Sequence, residues 1–187
     1  MMEFTLFRTK IKVSPLFFAV LTLFLLADRN GTASVAVLFS LLHEFGHFLA
    51  LLCVKTFPKL IEITIFGIHV SLPENLSTVK KCFIFAAGFS LNFLLAAMFF
   101  ILKNQFFGYI NLIIGIFTAL PVAATDGGAF LKTILNDYFP QNERQIFKVV
   151  SVSLSVAVSV LFIFSAFATK NYFILIAVFY IIFCAMK

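Results

Sequence analysis

Six stretches of this 187-residue chain, at 13–27, 32–54, 82–102, 105–125, 149–169 and 171–186, hold one formally charged side chain between them, Glu44. No other feature limits the fold as strongly. A hydrocarbon core about 30 Å thick takes roughly 20 apolar residues per helix, so each stretch is long enough, or nearly so, to cross a bilayer. The chain is 62% apolar and 12% charged, against about 25% charged residues in a soluble domain. A soluble core of this size cannot cover that much apolar surface. A cytosolic enzyme, a disordered tail and a secreted disulfide scaffold are excluded. The expected class is an all-α membrane protein with about six transmembrane helices. They form one integral-membrane domain over residues 1–187, with no separate soluble regulatory domain.

The charges that remain report orientation. With six spans, Arg8, Lys10, Lys12, Lys55, Lys59, Lys80, Lys81, Lys132, Arg144, Lys148 and Lys187 fall on one side and only Arg29, Lys103 and Lys170 on the other. The positive-inside rule then puts both termini in the cytoplasm. Lys12 and Lys187 flank the two shortest spans and are expected to snorkel to the interface. A cleaved signal peptide is the other reading of the first stretch, but it destroys the even count behind this bias. The net charge of +6 comes with no basic face or recognition motif, so the expected surroundings are the lipid bilayer, with no nucleic acid. Cys53, Cys82 and Cys184 lack paired or metal-type spacing and read as small buried apolar residues.

Residues 59–73 follow a different period. Ile61, Ile63 and Ile65 alternate with Glu62, Thr64 and Phe66, and after Gly67 the residues Ile68, Val70 and Leu72 alternate with His69 and Ser71. A period of two broken at glycine predicts a small β-hairpin between helices two and three, on the cytoplasmic face. It either caps the bundle or has a working role.

The second stretch contains His43-Glu44-Phe45-Gly46-His47, the pattern H-E-x-x-H. On a helix, positions i and i+4 share a face, so both imidazoles reach one zinc ion with Glu44 beside it. Ionisable groups inside a span are costly and mark functional sites; the alternative is a polar clamp between helices without metal. Glu44 lies about ten residues from the cytoplasmic end of its span, roughly 15 Å deep. Catalytic zinc takes three protein ligands and keeps one open position. The candidate third ligand is Asp126, in Pro121-Val122-Ala123-Ala124-Thr125-Asp126-Gly127-Gly128 at the end of span four. There the proline and glycines are expected to break the helix and turn the carboxylate inward, on the same side of the membrane as Glu44. A simple cap at the water interface is the competing role for Asp126.

H-E-F-G-H in an early span and P-x-x-x-x-D-G-G closing a later one resemble the site-2 protease family of intramembrane zinc metalloproteases, and the six-span layout resembles its sporulation branch, the SpoIVFB-like proteases. Gly88-Phe89-Ser90-Leu91-Asn92 is similar to the family's G-P-x-x-N element. The likeness covers most of residues 10–130. It implies His43, His47 and Asp126 as ligands of one Zn2+ per chain, Glu44 as general base, and Asn92, Thr118, Pro121 and Gly127 as substrate-binding residues. It further implies cleavage of a membrane-embedded or membrane-associated protein, such as the tethered precursor of a transcription factor, in a bacterial inner or sporulation membrane, with regulatory membrane proteins as further partners. Thr118 stands where the family usually has Asn, Ala124 where it has a second Pro, and Phe89 where it has Pro; these departures bear on substrate positioning, not on the metal set. The regulatory domain that some SpoIVFB-like members carry is not expected in this chain.

Three other classes compete. A catalytically impaired relative that binds membrane clients would keep the fold without cleavage. A zinc-binding transporter would need a second ionisable cluster or an inverted repeat, and neither is visible. A zinc peptidase with a glutamate third ligand has only Glu62, Glu74 and Glu143 to draw on, all in expected loops.

Overall fold

The computed structural model describes residues 2–6, 9–28, 30–64, 67–123, 125–169 and 178. Among these residues, four strands and six helices follow in chain order: β1 (Met2–Leu6), β2 (Thr9–Val13), α1 (Pro15–Leu26), α2 (Thr32–Val54), β3 (Leu60–Thr64), β4 (Gly67–Ser71), α3 (Thr78–Ile101), α4 (Gln105–Ala119), α5 (Asp126–Tyr138) and α6 (Glu143–Thr169). Among the described residues α2, α3 and α6 are long and apolar enough to cross a membrane, and α1 and α4 are shorter apolar helices. The expected sixth span, 171–186, lies outside the described residues apart from Val178, as does Cys184. The chain forms two compact units, Met1–Gly115 and Ile116–Lys187, with the boundary inside α4.

In the first unit the expected hairpin is β3–β4, antiparallel from Leu60↔Ser71 to Thr64↔Gly67. It is half of a four-stranded sheet of order β1-β2-β3-β4, and the N-terminal half was not expected from the sequence. There β1 and β2 pair antiparallel, and β2 runs parallel to β3 from Lys10↔Leu60 to Val13↔Ile63. Lys12 therefore belongs to a strand and not to a helix flank: its Nζ lies 3.6 Å from a carboxylate oxygen of Glu3 and 3.6 Å from one of Glu62. Parallel neighbours need a crossover, which here is the α1–α2 pair. Residues 13 and 60 consequently lie on one side of any membrane these two helices cross.

Pro15 starts α1 at the position where a missing N–H costs nothing, and the Ser14 N–H ties that start to the Ile63 carbonyl at 2.9 Å. The helix has 12 residues and none is buried; at about 1.5 Å per residue it falls short of a full span. α2, with 23 residues, reaches about 34 Å. Its N-terminus is held by Asp28, whose carboxylate accepts from the Ser34 N–H and hydroxyl, both at 2.8 Å. Those bonds, the backbone one foremost, hold the Asp28 carboxyl below its ordinary pKa. Cys53, expected to be buried, is exposed on α2, on a helix that also exposes Leu49 and Leu52.

α2 packs on α3 through small residues, as helices do where lipid offers no hydrophobic drive. A Cβ on Gly46 would come within 2.9 Å of the Ala87 carbonyl oxygen. Ala50, Leu51 and Ile84 form the apolar core at that end, covered by Val54, Leu72, Leu76 and Ala87. One turn beyond His43 at the other end, the rings of Phe39, Phe99 and Phe107 meet edge to face at 5.2 to 5.6 Å.

In the second unit the apolar stretch expected to run to residue 125 stops being helical at Ala119. Residues 120–123 and Thr125 are non-helical, and α5 then begins at Asp126. The break is pinned to α6 by the Ala123 N–H, which donates to Ser151 Oγ at 3.0 Å.

Candidate metal centre

The H-E-x-x-H residues lie in the middle of α2, where uninterrupted helix puts His43 and His47 one above the other. Both are buried, at 4% and 6% relative exposure, and Glu44 between them is half-buried. Their rings are edge to face, with centroids 4.9 Å apart, and the two Nε2 atoms are 3.2 Å apart. Each Nδ1 faces away from the other ring toward an oxygen on α3. His47 Nδ1 is 2.7 Å from the Ile84 carbonyl oxygen, and His43 Nδ1 is 2.7 Å from Asn92 Oδ1.

These partners decide the protons. A carbonyl oxygen can only accept, so His47 carries its proton on Nδ1, and the same holds for His43 against Asn92 Oδ1. In the neutral rings both Nε2 lone pairs then point toward each other across 3.2 Å, an arrangement that favours a shared cation. Two nitrogens each about 2.05 Å from a tetrahedral zinc are about 3.3 Å apart, so the observed separation fits one ion.

The neighbouring backbone leaves room for it. A Cβ built on Gly88 of α3 would lie 2.4 Å from His47 Nε2 and 2.6 Å from His43 Nε2. Any side chain at this position would fill the space against both lone pairs. Gly88 and Asn92 are four residues apart and so share a face of α3, which is how the G-x-x-x-N element meets the histidines. α3 runs unbroken through Phe89, the position of the family's usual proline.

The second unit carries Asp126. The N-cap of α5 is Thr125, whose Oγ1 accepts from the Gly128 N–H at 3.2 Å. The same hydroxyl donates to the Leu120 and Val122 carbonyls. Thr125, not Asp126, is thus the N-cap of α5. Asp126 occupies the first helical position, where the helix dipole favours a carboxylate. The double glycine has a steric cause: a Cβ on Gly127 would come within 2.0 Å of the Ala119 carbonyl oxygen, and one on Gly128 within 1.9 Å of that of Val122. Gly127 is thereby explained by close backbone approach. Pro121 sits in the non-helical segment and Thr118 in the last turn of α4, both half-buried.

In the first unit His43 and His47 present two imidazole nitrogens of the kind a metal ion takes. Asp126, the carboxylate that the sequence offers as a third donor, belongs to the second unit. Sequence reasoning had not singled out Ile84, whose contribution is a backbone carbonyl with no sequence signal. It also missed Asn111, whose signal was plain: an amide in the middle of an apolar helix.

No family model matches the sequence, and no curated protein matches it. Among solved structures, the site-2 protease from Methanocaldococcus jannaschii is similar at a TM-score of 0.67 and 15% identity, with 99% of this chain and 93% of that chain covered. Along nearly its whole length, this chain shares the fold of that protease.

Proposed function

We propose that this protein is an intramembrane zinc metalloprotease that hydrolyses a peptide bond within or near the membrane segment of a protein substrate. The observation that carries the reading is the pair of Nε2 lone pairs held 3.2 Å apart beside a side-chain-free Gly88, with Glu44 in the same helical turn. His43 and His47, with Asp126 as the third donor, would hold the ion. Zinc would supply Lewis acidity toward water and the scissile carbonyl. Glu44 takes the proton from the attacking water and returns it to the departing amine as the C–N bond breaks.

A helical substrate must unwind before its carbonyls can react. β3 is paired on both sides, so among the described residues the hairpin's open edge is β4, and an extended segment is received there by strand addition. Thr118 and Pro121 belong to the substrate side of the site. The β2–β3 pairing fits an orientation in which the N-terminal strands and the hairpin share one side, and the positive-inside rule makes that side the cytoplasm.

The test uses purified protein in a membrane mimetic and cells that co-express membrane-tethered candidate substrates. About one zinc per chain is expected. With Glu44→Gln, zinc stays and cleavage disappears. Protein purified without chelators that carries no zinc refutes the reading. A Glu44→Gln variant that cleaves at the wild-type rate refutes the catalytic assignment.

A further inference from the structure

Two asparagines lie fully buried at 0% exposure, Asn92 on α3 and Asn111 on α4. An amide buried among apolar residues costs several kcal/mol unless both its ends are bonded, so packing alone does not account for either. We propose that Asn111, which touches neither histidine in any described hydrogen bond, is a positioning residue: acting through Asn92, it holds the His43 ring in the one orientation and tautomer that turns Nε2 toward the metal. The proposal rests on the metal reading above.

The direction of each bond follows from the one before it. Asn111 Nδ2 donates to the Phe107 carbonyl oxygen at 3.0 Å. That oxygen only accepts, so this end of the Asn111 amide is its NH2 and the other end is Oδ1. Asn111 Oδ1 in turn faces Asn92 Nδ2 at 3.1 Å, which turns Asn92 Oδ1 to His43 Nδ1 at 2.7 Å. His43 therefore donates from Nδ1 and keeps its lone pair on Nε2. Reversing either amide sets donor against donor or acceptor against acceptor in a place closed to water. His47 needs no such relay, because the Ile84 carbonyl addresses its Nδ1 directly.

Two packing features keep the relay in place. A Cβ on Gly115 of α4 would come within 3.3 Å of Asn92 Cβ, so a glycine lets α4 approach near the amide. Phe107, whose carbonyl starts the chain, belongs with Phe39 and Phe99 to the aromatic cluster that keeps water out. Asn92, expected to hold substrate, has its Oδ1 on His43 and its Nδ2 on Asn111, with the Phe39 carbonyl 3.5 Å away. Its amide is committed to the histidine.

The chain has 3 histidines, so long-range proton–nitrogen correlation spectra of histidine-labelled, metal-free protein report each tautomer separately. In wild type His43 should show the Nδ1–H form alone. Asn111→Leu should give a mixture of tautomers at His43 only, with zinc affinity down about tenfold, the lower end of what loss of a ligand's supporting partner costs. Asn111→Asp should restore the single tautomer, because its protonated carboxyl donates to the Phe107 carbonyl and still presents an acceptor to Asn92. If Asn111→Leu does not fold, Asn111→Ala takes its place. The proposal is overturned if the truncated variant keeps one His43 tautomer, if His43 and His47 change together, or if folded Asn111→Asp does not restore the wild-type pattern. Wild-type protein that shows the tautomer dependence but binds no zinc upholds the relay and refutes the protease reading instead.

Discussion

Replacing Gly88 by alanine tests the metal centre at its narrowest point. The added Cβ would sit 2.4 Å from His47 Nε2, 2.6 Å from His43 Nε2 and 2.7 Å from His43 Cε1, where ordinary contact begins near 3.4 Å. The overlap is therefore about 1.0 Å at one ring and 0.8 Å at the other. Neither ring can withdraw freely, because each Nδ1 is anchored at 2.7 Å to an oxygen on α3, the helix that carries Gly88. Turning the rings away breaks two hydrogen bonds worth about 1 kcal/mol each. Forcing the helices apart carries the overpacking cost of about 1–3 kcal/mol. Either way the methyl group takes the space beside both lone pairs.

Zinc affinity should therefore fall at least about 100-fold, the upper end of what disturbing a ligand's support costs. The assay is zinc per chain by elemental analysis against a graded metal buffer, with thermal unfolding of the same samples. Gly46→Ala is the control: its Cβ meets the Ala87 carbonyl oxygen at 2.9 Å and Leu91 Cβ at 3.2 Å, in the same helix pair but against the backbone and an apolar side chain of α3. It should lower the unfolding temperature and leave zinc bound. If Gly88→Ala keeps zinc within about threefold of wild type, or if Gly46→Ala loses as much, the pocket has been misread.

Glu44→Gln should reduce cleavage by about 10²–10⁴, the usual share of a general base, while zinc content stays at the wild-type level. Thr125→Ala removes the cap of α5 and should cost about 1 kcal/mol in unfolding measurements, with Thr125→Ser recovering most of it. Gly128→Ala should be far worse and yield little folded protein, since its Cβ would lie 1.9 Å from the Val122 carbonyl oxygen, a backbone atom that cannot swing aside. Asp28 has its pKa lowered in the folded state by the bonds from Ser34. Its stabilisation is thus complete above the unfolded value, near pH 4, and is lost as pH falls through the lower folded value. Protection of the Ser34 amide from hydrogen exchange, relative to its intrinsic rate at each pH, should fall across that window in wild type and be low at all pH in Asp28→Ala.

What the sequence disclosed divides along a physical line. The apolar runs, the i, i+4 histidines and the period-two hairpin are local patterns, and α2, α3, α6 and β3–β4 appear where those patterns lie. The helix break before Asp126 was legible because proline and glycine act on their own backbone. The N-terminal strands were not, because Thr9–Val13 is short and its partner begins at Leu60, across two helices. The same distance hid the wall of the metal centre. Ile84, Gly88 and Asn92 stand four residues apart on α3 and serve, in that order, His47 Nδ1, the two Nε2 atoms and His43 Nδ1. A four-residue step on one helix meets a four-residue step on its antiparallel neighbour, so the register of the pair brings all three into place at once. A one-residue slip of α3 turns each of its positions by about 100°, and would remove the oxygen partners and the glycine gap together. The register of α2 against α3 is therefore part of the metal site itself, whereas Gly46, which lets the Ala87 backbone come close beside it, sets how near the two helices pack.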